Sequence, residues 1–249
     1  RKVLEVRGLT KEPRFRDVDL ELFQGEILGF FGLVGSGRTD IMRCIFGAES
    51  YERGEVVVNG RKVHFSSPSQ AISAGIGFLP ENRKEAGLAL SLPVDMNINL
   101  ASYDAISRLG FVNLGKEAAR AKKYISELSI RTPSARQRVK NLSGGNQQKV
   151  VVSKWLCRNS DIFIFDEPTV GVDVGAKLEI YKLIEALLEA GNAVIFVSSY
   201  LPEIMGIADR IMVIYEGSVT GTLERGDYEE EKILRLASGI TDNGNGGTT

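Results

Sequence analysis

Two glycine-rich stretches and one pair of carboxylates supply the residue types and spacing that chemistry would need. The first stretch is Gly32-Leu33-Val34-Gly35-Ser36-Gly37-Arg38-Thr39-Asp40, which follows the apolar run Ile27-Leu28-Gly29-Phe30-Phe31 and leads into a helical pattern. Glycines at 32, 35 and 37 let backbone N–H groups close around phosphate oxygens at a helix start, where the helix dipole favours negative charge. Thr39 offers the hydroxyl expected on Mg²⁺. At Arg38 the stretch departs from the usual Gly-x-x-x-x-Gly-Lys-[Ser/Thr]. A planar, bulkier guanidinium keeps the attraction for phosphate but does not position the transferring group as a compact ammonium does. The carboxylates, Asp166 and Glu167, end the run Ile162-Phe163-Ile164-Phe165. Asp166 is expected to hold Mg²⁺, directly or through water, and Glu167 to polarise an attacking water as general base. The second stretch, Leu142-Ser143-Gly144-Gly145-Asn146-Gln147-Gln148, opens another helix and makes a second anion-binding turn. One chain with two phosphate-facing turns and one set of metal ligands is most simply explained by two molecules meeting head to tail, each giving one turn to each nucleotide.

These groups need a frame, and the hydrophobic pattern supplies a layered α/β one. Strands are expected at 3–7, 26–31, 55–58, 77–79, 162–165, 193–197 and 211–215, with helices starting near Gly37, Ser69, Gly145, Val174 and Leu201. The runs before Gly32 and Asp166 show no polar alternation, as central parallel strands covered on both faces would. Both lead straight into a motif, and ligands of open parallel sheets bind beyond the carboxyl ends of strands. Strand signals vanish between 82 and 150, where 116–128 and 146–158 read as helices. The expected organisation is an α/β core over 1–81 and 150–238 with an N-terminal β subdomain, a helical subdomain inserted over 82–149, and a flexible tail over 239–249.

Composition narrows the classes. The chain has 249 residues, 43% hydrophobic, enough for a sizeable core. Lys plus Arg number 31 against 32 Asp plus Glu, a formal net charge of −1 that gives no bulk electrostatic case for nucleic acid. No apolar run reaches the roughly 18–20 residues that span a bilayer, so any membrane contact is expected through a partner. Cys44 and Cys157 sit in helical apolar patterns and read as inert core thiols. His64, the single histidine, has no ligand-like neighbours in sequence. Glu229-Glu230-Glu231 suits a first helical turn.

Leu142-Ser143-Gly144-Gly145-Asn146-Gln147-Gln148-Lys149 resembles the signature motif of ABC ATPases in the form used by monosaccharide importers. The resemblance covers nearly the whole chain, including Gly25-Glu26-Ile27-Leu28-Gly29, Leu79-Pro80-Glu81-Asn82-Arg83-Lys84 and Thr169-Val170-Gly171-Val172-Asp173-Val174-Gly175-Ala176. It implies a P-loop ABC-type ATPase with ATP and Mg²⁺ as ligands. The implied setting is the cytoplasmic face of the plasma membrane, with permease subunits, a second ATPase half or copy, and indirectly an external sugar-binding protein as partners. Members resemble tandem proteins with two ATPase halves, and this chain looks like the second, which fits its start at Arg1.

Two further departures stand out against that family. Glu81 occupies the hinge position where most relatives place a metal-linked Gln, and Ser199 the switch position where most place a γ-phosphate-sensing His. With Arg38, they suggest a cradle that turns over slowly beside an undamaged Ser143-Gly144-Gly145 able to complete the other half's site; the opposing reading is that Glu167 still suffices for hydrolysis in cis. Phe15 could stack on adenine or lie in the core, and Asp173 could touch the dimer partner or cap a helix. Permease docking is expected beside Glu81 and Leu88-Ala89-Leu90-Ser91-Leu92-Pro93. ABC ATPases of DNA repair or translation and a purely regulatory nucleotide binder remain alternatives, although no long heptad run or basic helical linker occurs.

Overall fold

A computed structural model describes residues 1–240. The chain begins with β1 (Lys2–Lys11), β2 (Phe15–Phe23) and β3 (Ile27–Phe31), then α1 (Arg38–Ile45), β4 (Arg53–Val58), β5 (Arg61–Val63), α2 (Pro68–Ser73) and β6 (Ile76–Leu79). A single π-turn at Arg83–Gly87 leads to α3 (Val94–Asn99), the hairpin strands β7 (Ser107–Arg108) and β8 (Phe111–Val112), α4 (Leu114–Glu127) and α5 (Gly144–Cys157). Next come β9 (Ile162–Asp166), α6 (Val174–Glu189), β10 (Ala193–Ser198), α7 (Leu201–Ile207), β11 (Arg210–Tyr215), β12 (Ser218–Glu224) and α8 (Glu230–Ala237).

Two sheets carry the architecture. The larger runs β12-β11-β3-β10-β9-β6, parallel except for the antiparallel edge pair β11–β12. β3, β9 and β10 are buried at every residue, as strands covered on both faces must be. Phe30, Phe31, Phe163, Phe165 and Phe196 are fully buried there, each stabilising the fold by roughly 1.5–3 kcal/mol. The second sheet, β2-β1-β4-β5, is antiparallel. The expected α/β fold, with a parallel core, an antiparallel N-terminal β subdomain and a helical insert, is the observed one.

Several details differ from expectation. β2 alternates buried Val18, Leu20 and Leu22 with exposed Asp19, Glu21 and Phe23, yet the reading placed no strand there. Phe15 begins it and is 1% exposed, so its ring belongs to the core and does not stack on a base. The insert is not purely helical, because β7 and β8 form a hairpin. α5 runs unbroken to Cys157, so a boundary at 149 falls inside a helix. Both cysteines are buried, and burial pushes the Cys44 thiol up to about 11, which keeps it unreactive. His64 Nδ1 lies 2.9 Å from the Tyr51 hydroxyl. Residues 230–231 do form the acidic first turn of α8. The expected flexible tail lies outside the described residues from 241 onward.

Candidate nucleotide site

β3 and β9 deliver the two motifs to the same end of the sheet, with β10 hydrogen-bonded between them. The loop after β3 turns back on itself: Gly35 and Gly37 have φ of 85° and 95°, and Gly37 is the N-cap residue of α1. A Cβ at Gly32 would sit 2.5 Å from the Ile214 carbonyl oxygen, so only glycine fits there. At Gly35 a Cβ would meet nothing, so its φ and not crowding is what favours glycine there. Ser36 is buried and its Oγ has no hydrogen-bond partner, an orphan polar atom at the cradle wall. Leu33 and Val34 are exposed. Asp40 lies in the first turn of α1 with its charge felt by Lys11 and Cys44, which leaves its backbone N–H as the group suited to an anion.

The acidic side of the site is almost dry. Thr39 donates to Asp166 Oδ1 across 3.2 Å. Asp166 is 1% exposed, and burial pushes its carboxyl up to about 6, against the lowering effect of the Thr39 bond. Glu81 is exposed at the edge of the same cleft, near enough that its charge raises both Asp166 and Glu167. Thr39, Glu81 and Asp166 line a cleft of about 450 Å³ together with Phe78, Lys154 and Trp155. Hydroxyl and carboxylate oxygens at the mouth of a phosphate cradle fit a hard divalent cation that takes its remaining ligands from phosphate and water. The unpartnered Ser36 hydroxyl likewise fits a polyphosphate.

Arg38 does not point freely into the cradle. Its Nη1 lies 3.2 Å from Glu167 Oε1, with both side chains at least 90% buried. The approach is an ion pair without hydrogen-bond alignment, and Nη1 is left with no hydrogen-bond partner. Burial raises the Glu167 pKa, while Arg38 and hydrogen bonds from the side chain and backbone of Ser199 hold it down. Glu167 has a φ of 47°, unusual for a side chain of its size, and its N–H donates to the Val197 carbonyl at 3.0 Å. The candidate base is thus held by β10, by Ser199 and by the arginine of the cradle.

None of residues 143–147 of the second turn lines this cleft. Ser143 is the N-cap residue of α5, yet its Oγ caps no backbone N–H and accepts from Asn146 Nδ2 at 2.9 Å. Asn146 and Gln147 are buried: Asn146 Oδ1 accepts from Arg131 N at 2.7 Å, and Gln147 Nε2 donates to the Val139 carbonyl at 3.2 Å. Their side chains brace the turn, leaving Ser143 and the backbone of Gly144 and Gly145 toward any ligand. A Cβ at Gly145 would lie 3.1 Å from Ala176 Cβ. At Gly144 it would lie 2.7 Å from Arg83 Nη2. Sequence reasoning gives Arg83 no role, although it follows Glu81 by two residues; its Nε is buried without a partner. Asp173 caps α6, accepting from Ala176 N at 2.9 Å, which is the capping role left open by its sequence.

A phosphate cradle after a buried parallel strand, a buried carboxylate pair at the end of the next strand but one in the sheet and a second glycine turn on a helical insert define a P-loop NTPase of the ATP-binding-cassette type. Residues 15–170 match the ABC transporter family, and the chain belongs to it. It is 50% identical over 238 residues to a protein of Rubrobacter xylanophilus named ribose import ATP-binding protein RbsA 3, covering 96% of this chain and 48% of that protein. It is also 50% identical over 239 residues to a ribose/galactose/methyl galactoside import ATP-binding protein, so described as putative, of Burkholderia ambifaria, covering 95% and 46%. This chain therefore spans about half the length of the curated relatives it matches. Among solved structures, a nucleotide-free ATP-binding cassette from an ABC transporter superposes with a TM-score of 0.78 at 18% identity over 96% of each chain. A dimeric cassette bound to ADP and Pi gives 0.74 at 22% identity, over 90% of this chain and all of the other, which supports the fold.

Proposed function

We propose that this chain is one ATPase half, the second, of a two-half ATP-binding protein that powers import of a simple sugar of the ribose or galactose type. Its own cradle binds ATP and turns over slowly, while its signature turn completes the hydrolytic site of the other half. The backbone of Gly32–Thr39 would hold the phosphates, with Arg38 as their counter-charge. Thr39, Asp166 and Glu81 would hold Mg²⁺, which supplies neutralisation of phosphate charge. Ser143, Gly144 and Gly145 would present donors to the nucleotide of the facing half.

The observation that carries the reading is the buried Arg38–Glu167 pair in a chain that keeps an intact Ser143-Gly144-Gly145 turn. A base neutralised by a guanidinium is poorly placed to take a proton from water. Exposed Val34, Val170, Val174, Leu178 and Tyr200, on the cradle and the segments after β9 and β10, fit a face covered by a second ATPase half. Leu88–Pro93 suits permease docking, because Asn97 braces it through bonds to Ala89, Leu92 and Pro93 while leaving Ser91 exposed.

Steady-state Mg-ATP hydrolysis tests the reading. The isolated chain is expected to be slow, and the two-half assembly fast and weakened about 10²-fold or more by Ser143→Ala, as when one transition-state donor is lost. Vigorous turnover by the isolated chain, or an assembly indifferent to Ser143→Ala, defeats it. The intact, raised-pKa Glu167 favours the opposing reading of hydrolysis in cis, which the first of those outcomes would establish.

A further inference from the structure

Among the large exposed apolar side chains of the described residues, Leu33 and Val34 lie on the first glycine turn, and a separate group lies on the helical insert. Leu109 is 91% exposed, Phe111 81% and Leu114 63%, with Val112 beside them at 38%. They sit on the β7–β8 hairpin and the residue that opens α4. The turn is Leu109-Gly110, with φ of 52° and 83°, so an apolar side chain is carried at a left-handed position where Asn, Asp or Gly would cost less. The base is firm: Asn113 N donates to the Ile106 carbonyl at 2.9 Å, Ile106 is buried, and the Asn113 side chain caps α4 by accepting from Lys116 N at 3.0 Å. A rigidly mounted hairpin thus holds out a small apolar tip.

The exposed charges along the hairpin and the first turns of α4 are basic, the nearest exposed acids being Asp104, paired with Arg158, and Glu127 at the far end of α4. Residues 107–124 carry Arg108, Lys116, Arg120, Lys122 and Lys123 against a single acid, Glu117, in a chain whose net charge is −1. Glu117 is 2% exposed and accepts from the Tyr103 hydroxyl at 2.5 Å, so it does not face the surface. Lys123 pairs with Glu127 at 3.9 Å, and Arg120 donates to Ser102, whereas no ion pair forms at Arg108, Lys116 or Lys122 among the described residues. Four apolar side chains on a hairpin of two-residue strands are too few to build a stable protein interface of about 1,200 Å². An apolar tip beside the exposed Arg108 and Lys116 suits the headgroup layer of an anionic bilayer, where the Phe111 ring and the branched chains enter the acyl boundary and the two cations stay among phosphates.

We propose that the Arg108–Leu114 hairpin is a lipid-contacting tip that seats the helical insert on an anionic membrane surface. This goes beyond mounting on a permease, and its test needs neither permease nor nucleotide, so the two readings fail separately. Vesicles of phosphatidylcholine alone and with phosphatidylglycerol are the probe, read by co-sedimentation at low and high salt and by the emission of Phe111→Trp. The expected result is salt-sensitive binding to the anionic vesicles alone, with a blue shift of the new tryptophan. Leu109→Ser with Phe111→Ser should abolish binding, and Arg108→Gln with Lys116→Gln, at exposed positions that leave folding intact, should weaken it about 30-fold, from about fivefold per basic residue. Absence of binding to anionic vesicles, or binding unchanged in either double variant, would overturn the proposal.

Discussion

Breaking the Arg38–Glu167 pair one side at a time should reveal a coupling that nucleotide abolishes. At 3.2 Å the Coulomb attraction is about 5 kcal/mol at an effective dielectric of 20, an upper limit before desolvation. Nη1 lacks hydrogen-bond alignment and both ions are held out of water, so most of that attraction offsets desolvation. Arg38→Met leaves Glu167 buried with only Ser199 to satisfy it, and the carboxyl responds by taking up a proton. The loss therefore grows as pH rises above the ordinary Glu value of about 4.3, since the variant fold favours the protonated acid and the unfolded chain does not. We expect a double-mutant cycle of Arg38→Met and Glu167→Gln in urea at neutral pH to give about 1–3 kcal/mol of coupling without nucleotide. Saturating Mg-ATP should bring it below about 0.5 kcal/mol as the guanidinium turns to phosphate. A coupling under that value in the nucleotide-free chain, or one that Mg-ATP leaves unchanged, would refute the idea that the cradle arginine restrains the base.

Two other consequences can be measured on the chain alone. Lys154 is buried against Trp155 and the Gly87 carbonyl, and burial lowers its ammonium pKa to about 8. The unfolded chain holds that proton up to about pH 10.5, so at neutral pH the charge costs folding free energy that is recovered as pH rises from 8 toward 10.5. Lys154→Met should stabilise the chain by about 1–3 kcal/mol at pH 7, after loss of the Gly87 bond and the ring contact, and the gain in urea unfolding should shrink above pH 8. Asp173→Ala should cost about 1 kcal/mol through loss of the α6 cap, with Asp173→Asn near neutral, both read as shifts in the urea midpoint.

The phosphate cradle and the carboxylate pair were legible because each ends a strand whose apolar run announces burial on both faces. Ile27–Phe31 and Ile162–Asp166 could hardly be anything but central strands, and their ends placed Thr39 and Asp166 in one cleft. β2 carries an equally plain signal, Val18, Leu20 and Leu22 alternating with acids, but the adenine-stacking role open to Phe15 competes with a strand that begins at that residue. The β7–β8 hairpin gave little warning, since its strands are two residues long and its turn puts leucine where Asn or Gly is usual. Asn146 and Gln147 read as ligand contacts because polar residues at a helix start are ambiguous; only the fold reveals that Arg131 N and the Val139 carbonyl occupy them. The direction of Arg38 was likewise invisible. Spacing places its Cα at the cradle, whereas the partner it chooses depends on a carboxylate 129 positions later brought alongside by β9.

The contact between Arg83 and the signature turn ties two distant tasks to one short lever. Glu81 looks onto the chain's own cleft, and two residues on, a guanidinium rests where any side chain at 144 would have to be. On the proposed function, a shift of the strand end at Leu79–Glu81 would carry that guanidinium with it, so the acidic edge of the chain's own cleft and the brace behind the signature turn would move together. A lysine at 83, shorter and without the planar fork, would let the ends of the lever move independently.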